Sequence, residues 1–465
     1  MLTLAQELTA SGAYTAVMLS LEVGAVFSHD PGAAERAILD EWKQSIQFRL
    51  PENLYPPEWP DSNAGSMIGT LLSTWAKQSS RPLAVFLDEI DALSDETLIS
   101  VLRQLRSGYP NRPQGFPHSL GLIGMRDVRD YKVASGGSQR LNTSSPFNIK
   151  VESLTLQNFS LADVKKLYEQ HTTATGQIFT PEAIARAFYL TDGQPWLVNA
   201  IARQATEFLA KDVTIPITVE LINQAKEILI KRQDTHLDSL AERLREDRVR
   251  AIIQPILSGL ELGDTPEDDR RYLLDLGLVV RSLEGGLKIA NPIYQEVIPR
   301  VLSQGTQDSL PMIQPSWLNA DGSLNSQVLL DTFLEFWQQH GEPLFKSTPY
   351  PEIAPHLVLM AFLHRVVNGG GTLEREYAIG SGRMDICLRY GELVLGMELK
   401  VWRDRKPDPL VEGLKQLDKY LSGLNLDTGW LVIFDRREGL VSLSDRTTTE
   451  KAISPAGRSI IVIRG

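Results

Sequence analysis

Gly382-Arg383-Met384-Asp385-Ile386 precedes Leu393-Val394-Leu395-Gly396-Met397-Glu398-Leu399-Lys400-Val401-Trp402. Both segments read as apolar strands that carry isolated charges. Side chains alternate along a strand, so Val394, Gly396, Glu398 and Lys400 share one face. Leu393, Leu395, Met397, Leu399 and Val401 share the other. Two charges on so apolar a strand are unfavourable unless they bind something. Asp385 is likewise alone between Met384 and Ile386. Two carboxylates from adjacent strands can hold one Mg²⁺, a hard cation that takes oxygen ligands, and the Leu399 carbonyl offers a further ligand. Lys400 would then stand beside a water attacking phosphorus, stabilising the developing charge or assisting deprotonation. The competing reading is an edge strand with a Glu-Lys surface pair.

The surrounding elements fit a compact α/β arrangement. Val328–Gln339 and Pro351–Val367 read as helices, with Pro355 tolerable near a first turn. Strands are expected at Thr372–Ile379, Met384–Tyr390 and Leu393–Trp402, then a helix at Pro409–Leu421 and a strand at Gly429–Asp435. On that helix Gln416 and Tyr420 stand four residues apart and share a face. In these features the segment resembles the PD-(D/E)xK nuclease family. Asp385 matches the family's Asp, with Met384 in place of its Pro, and Glu398-Leu399-Lys400 matches E-x-K. Gln416 and Tyr420 match a Q-x-x-x-Y pattern found in one branch. The resemblance implies Asp385 and Glu398 as Mg²⁺ ligands, with Lys400, Gln416 and Tyr420 completing the catalytic set. Glu352, Glu374 and Glu376 compete for the family's additional acid. Arg383, Arg389, Arg403, Arg405 and Lys406 supply local positive charge for phosphates.

The first half alternates strands with amphipathic helices, the pattern of a parallel sheet covered by helices. The strands are expected at Thr15–Leu21, Leu83–Leu87, Leu120–Gly124 and Phe147–Val151, with a helix over Glu96–Arg106. Leu83-Ala84-Val85-Phe86-Leu87-Asp88-Glu89-Ile90-Asp91 is an apolar strand ending in acids. In nucleotide hydrolases the first such acid holds Mg²⁺ and the second orients the attacking water. The bland alternative is a strand leading into an acid-capped helix. Gly124-Met125-Arg126-Asp127 follows the next strand, where Arg126 would sense a γ-phosphate or make a surface ion pair. Thr191-Asp192-Gly193-Gln194-Pro195-Trp196-Leu197 joins two helices. Here the chain resembles the AAA-like signal-transduction ATPases, whose lid carries a Gly-x-Pro turn beside adenine. The resemblance implies ATP as ligand, Asp88 on the metal, Glu89 as catalytic acid, and Arg126 and Pro195 at the nucleotide. A plain helix-helix turn explains Gly193 and Pro195 nearly as well.

No G-x-x-x-x-G-K-[ST] pattern occurs in the chain, so the phosphate-cradling loop of such ATPases is not present in it. In the resembling family the loop follows a central strand and precedes the helix matched by Met1–Leu8. Met1 is therefore expected to be an internal methionine of a longer protein.

The expected organisation is an incomplete ATPase core over 1–155, a helical lid over 156–235, a winged-helix-like segment over 236–303, a linker over 304–325, and the nuclease-like domain over 326–465. In the winged-helix-like segment, helices at Arg248–Ser258 and Asp268–Leu276 precede a hairpin (Leu278–Arg281, Leu287–Ala290) and a helix at Pro292–Leu302. Glu261, Asp264, Glu267, Asp268 and Asp269 crowd the would-be recognition helix against Arg270 and Arg271. That favours an intramolecular docking role over DNA reading.

Composition bounds the rest. The 465 residues exceed one ordinary domain. A net charge of -11 does not advertise nucleic-acid binding, so contact with DNA must come from local basic patches. Cys387 is the one cysteine, which excludes an internal disulfide framework and a cysteine-based zinc site. No apolar run is long enough to span a membrane and no signal peptide is evident, so a cytoplasmic location is expected. Two function classes follow. One is an ATP-regulated, Mg²⁺-dependent nuclease acting on DNA, for which self-association into a homo-oligomer is admitted. The other is a nucleotide-dependent switch or nucleic-acid-binding protein with an inactive nuclease-like domain.

Overall fold

The computed structural model describes residues 1–57, 59, 62–124, 154, 156–232, 240, 242–258, 262–282, 285–308, 315–347, 353–368, 370–375 and 385–465. The chain divides into two compact units, Met1–Leu156 and Gln157–Gly465.

The first unit holds a parallel sheet of β1 (Thr15–Ser20), β2 (Leu83–Asp88) and β3 (Ser119–Leu122), with β2 in the middle. Its two faces bury different side chains, as a covered parallel sheet requires. Val17, Leu19, Val85 and Leu87 face a core with Trp42 and Trp75. Ala16 and Ala84 face Ala5 and Leu8 of the helix Leu2–Ala10. The outer edge of β1 is closed by side chains. Thr9 Oγ1 accepts from Ala16 N–H at 2.9 Å and donates to Ala16 O at 3.0 Å. Arg49 reaches Met18 O at 2.5 Å and Trp42 Nε1 reaches Ser20 O at 2.7 Å. Four backbone groups that another strand would have paired, Ala16 N–H and the carbonyls of Ala16, Met18 and Ser20, are thereby satisfied. The expected helix Glu96–Arg106 forms as Asp95–Gly108. The expected strand Phe147–Val151 lies outside the described residues.

In the second unit the helices Leu161–Thr175, Pro181–Thr191, Pro195–Arg203 and Val219–Arg232 come first. Ser160 opens the first of them with a capping box to Asp163, and Thr180 caps the second. Next come helices Asp247–Ser258 and Glu267–Asp275, the antiparallel pair β4 (Val279–Arg281) and β5 (Leu287–Ile289), and helix Pro292–Asp308. One apolar core runs through all of these and reaches Ile353 and Leu357. The expected division of this region into separate lid and winged-helix-like pieces therefore meets a shared core. Helix Ala354–Val367 makes the join, because it is largely apolar and buried from Ala354 through Leu363. A buried ion cluster crosses the same region. Lys226 Nζ lies 2.9 Å from Glu296 and 2.7 Å from Glu227, and Arg300 pairs with Glu296.

The second sheet has six strands in the order β10-β11-β9-β8-β7-β6. They are β6 (Thr372–Arg375), β7 (Asp385–Tyr390), β8 (Leu393–Trp402), β9 (Thr428–Asp435), β10 (Thr448–Ile453) and β11 (Ser459–Arg464). β6, β7 and β8 run antiparallel, whereas β8, β9 and β11 are parallel. Helix Leu410–Leu424 covers one face and helices Ser326–Ser347 and Ala354–Val367 the other. β10 and β11 were not among the sequence expectations. The region expected as a loose linker is also more ordered where described. Helix Pro292–Asp308 extends past the expected Leu302, and Trp317 is buried with its ring 5.9 Å from Phe362. A buried indole anchors the turn Leu318–Leu324 to the core despite the polar residues around it. Among the described residues no helix is long and apolar enough to cross a membrane.

Candidate active site

β8 follows the alternation in its sequence. Leu395, Met397 and Leu399 enter the core under the long helices, while Val394 and Trp402 pack towards helix Leu410–Leu424. Glu398 and Lys400 therefore lie beneath that helix, at 0% and 7% exposure. A surface ion pair on an edge strand does not fit this burial, and β8 is an inner strand. Lys400 Nζ bonds both Glu398 Oε1 and Gln416 Oε1. Gln416 Nε2 in turn donates to Glu412 Oε1 at 3.2 Å. The order Glu398–Lys400–Gln416–Glu412 fixes the Gln416 amide with its oxygen towards the ammonium.

Asp385 stands opposite Glu398 in the antiparallel register of β7 and β8. Directly opposite residues in such a pair are near neighbours. Tyr420, 1% exposed, lies one turn beyond Gln416 and packs over Gly396. Glycines let the helix come close. A Cβ on Gly396 would meet Leu421 Cδ2 at 2.8 Å and Tyr420 Cε1 at 3.1 Å. One on Gly413 would meet Leu431 Cδ1 at 2.6 Å. Without those approaches Gln416 would not reach Lys400.

The donors suit a hard cation in kind, since a buried carboxylate and a neighbouring strand carbonyl are oxygen ligands. Glu398 is also the sort of buried charge that must be paired, and here Lys400 is its partner. Among the described residues no group of three or more His, Cys, Asp or Glu side chains stands ready to hold a metal. Of Asp385 and Glu374 only the backbone is described. Glu352, Glu376 and Arg383 lie outside the described residues.

In the first unit Asp88 ends β2 and both Asp88 and Glu89 are half-buried. Glu89 holds φ 57° and ψ 40°, the left-handed region that non-glycine residues rarely adopt. Its amide donates to Asp88 Oδ1 at 3.1 Å, and Ser20 Oγ donates to Glu89 Oε2 at 3.0 Å. Ser20 is the register partner of Asp88, so the end of β1 holds the second acid in place. The sequence reading did not single out Ser20 or Glu412. Both act through a neighbour, and their only sequence signals are a strand-end position and a four-residue helical spacing. Ile123 N–H donates to Leu87 O at 2.8 Å, and Gly124 lies against Asp91. Arg126, two residues on, lies outside the described residues.

Pro195 belongs to the other unit, as the first residue of helix Pro195–Arg203. Gln194 caps that helix, accepting from Leu197 N–H at 2.6 Å. Gly193 has φ 71°, and a Cβ there would stand 1.9 Å from Phe159 O. The turn thus needs Gly193 for its own geometry, and Pro195 is an ordinary residue at a helix start.

No family model and no curated protein matches the chain. Among solved structures it is similar to the Thermotoga maritima RuvB Holliday junction branch migration motor, at 17% identity and a TM-score of 0.30 over 64% of this chain and 92% of that one. Two variants of the same motor align at 15% and 16% identity, with TM-scores of 0.29 and 0.30. They cover 64% of this chain and 92% and 93% of theirs. So loose a superposition places no residue and carries no weight for the reading below.

Proposed function

We propose that the chain is an ATP-binding, ATP-regulated nuclease that cleaves DNA phosphodiester bonds with Mg²⁺. The observation that carries the nuclease half is the buried Glu398–Lys400–Gln416 cluster on a strand whose register partner for Glu398 is Asp385. Glu398 and Asp385 would hold the ion, with the Leu399 carbonyl beside them. Bound Mg²⁺ would neutralise charge on the phosphate and lower the pKa of a coordinated water. Lys400, directed by Gln416, would place its ammonium against the developing negative charge. Tyr420, packed over Gly396, fixes the helix that carries Gln416.

The ATPase half rests on Asp88 and Glu89 at the carboxyl end of a buried parallel strand, where open α/β sheets bind ligands. The strained backbone of Glu89 and its bond to Ser20 support a catalytic acid held in readiness. Arg126 and Pro195 remain proposals for nucleotide contact, as do the lid and winged-helix roles and assembly into a homo-oligomer.

The second reading is a nucleotide-dependent binding protein whose nuclease-like domain does not cut. It is favoured by Glu398 having no exposed surface and being already paired with Lys400. Cleavage of linear and circular DNA, with Mg²⁺ or EDTA and with or without ATP, separates the two. Mg²⁺-dependent cutting that Glu398→Gln abolishes supports the nuclease. DNA binding by wild type and Glu398→Gln alike, with no cutting by either, supports the switch.

A further inference from the structure

The ends of β8 and β9 carry a second feature that the cluster around Glu398 does not use. A cavity of about 270 Å³ opens there, walled by Trp337, Phe345 and Phe434 and by three arginines, Arg436, Arg437 and Arg446. Their only carboxylate side chain in the lining is Asp435. Arg437 takes it in a two-pronged contact, Nε at 2.9 Å and Nη2 at 2.6 Å, and lays its guanidinium 3.5 Å over the Trp402 ring. Arg437 is therefore spent.

Arg436 and Arg446 are not. Among the described residues neither makes a salt bridge, although Arg446 stands near enough to Asp435 to help hold its carboxyl low. Arg436 is placed by its backbone, whose N–H donates to Trp402 O at 2.8 Å. Arg446 Nη1 donates to Val441 O at 3.2 Å, while its Nε is buried and donates to nothing. A buried guanidinium donor without an acceptor is unfavourable unless something fills the place. Three guanidiniums against the single side-chain carboxylate of Asp435, one of them with an unpartnered buried Nε, suit a compact tetrahedral anion, because the planar fork matches phosphate oxygens in pairs. The aromatic wall suits the flat or apolar group such an anion carries.

We propose that this cavity is a phosphate site, with Arg436 and Arg446 as its anion ligands and Arg437 as the residue that shapes its rim. The phosphate is either free or the terminal phosphate of a nucleic-acid strand. The second source rests on the nuclease reading. Asp435 pairs in register with Trp402, two positions beyond the pairing of Ile433 with Lys400, roughly 7 Å along the strand. The cavity lies on the face covered by helix Ser326–Ser347, whereas Lys400 lies beneath helix Leu410–Leu424, so a strand end held there would pass round the end of β8.

The test uses the full chain and needs no cleavage. Titration calorimetry with inorganic phosphate is run on wild type, Arg446→Lys and Arg436→Gln/Arg446→Gln. Fluorescence anisotropy then compares oligonucleotides bearing a terminal phosphate, at either end, with the unphosphorylated strand. Saturable phosphate binding is expected, weakened about tenfold or more in the double variant and by less in Arg446→Lys, which keeps charge but not the fork. A preference for the phosphorylated strand assigns the site to strand ends, and its absence assigns it to free phosphate. If wild type does not bind phosphate, or the double variant binds it equally well, the proposal is overturned. Should the double variant misfold, the single Arg446→Lys change carries the decision. A protein that binds phosphate yet never cuts DNA keeps this site and loses the nuclease reading.

Discussion

Lys400 is the counter-ion of a carboxylate with no exposed surface. Removing one member of a buried pair leaves the other charged and unpaired, typically at about 3–5 kcal/mol. Lys400→Ala is therefore expected to unfold at lower denaturant by about 3 kcal/mol, and the Glu398→Gln/Lys400→Ala double variant to recover much of that loss. Additive losses measured by denaturant titration would show that the two side chains are not a pair. Ser20→Ala removes one hydrogen bond to Glu89, worth about 1 kcal/mol. In a protein that carries the phosphate-cradling loop, it is expected to change ATP turnover far more than stability. An unchanged turnover would remove Ser20 from the site. The acids and the lysine were legible in the sequence because a charge on an apolar strand stands out. Their partners Ser20 and Glu412 were not, since an isolated polar residue at a strand end or on an exposed helix face has many ordinary explanations.

At the scale of elements, the close seating of helix Leu410–Leu424 on β8 decides whether Gln416 reaches Lys400. A methyl added at Gly396 must displace Leu421 or Tyr420, and overpacking of this kind costs about 1–3 kcal/mol. Gly396→Ala is expected to lose stability in that range and, if the nuclease reading holds, to lower the cleavage rate while leaving DNA affinity unchanged. Equal stability, measured by thermal unfolding, would mean that the helix is not seated as described. β7, β8, β9 and the helix between the last two were readable from alternation and from the i, i+4 pair. β10 was not, because Thr448–Ile453 is largely exposed and carries no apolar alternation. β11 lacks such an excuse, since Ile460, Val462 and Ile463 are buried on an inner strand. Trp317, buried among polar neighbours, was not legible as an anchor because composition reports polarity and not the packing of a single indole.

On the scale of the whole molecule, Gln157–Gly465 forms one compact unit, and its buried charges explain part of why. Arg300 donates to Leu373 O at 2.8 Å and pairs with Glu296. The helix that follows β5 is thereby fastened to β6. Burial alone would raise the Glu227 carboxyl, but Lys226 and Arg300 hold it below its ordinary value of 4.5. A carboxylate depressed in the folded state contributes stability above about pH 4.5 and loses it as pH falls through the folded value. Acid should therefore destabilise wild type more steeply than Glu227→Gln between about pH 5 and pH 3. Identical slopes in urea titrations would remove Glu227 from that role. Such long-range ties are invisible to sequence periodicity, because Lys226 and Glu296 look like surface charges on their own helices.

The most direct measurement is the rate of Mg²⁺-dependent cleavage of linear DNA by wild type and by Lys400→Met, which removes the charge and keeps most of the side chain's bulk. The account predicts cutting by wild type that disappears with EDTA, and a loss of at least about a hundredfold in Lys400→Met, the scale expected when a group stabilising transition-state charge is removed. Equal cutting by the two proteins, or none by wild type with Mg²⁺ present, would contradict it.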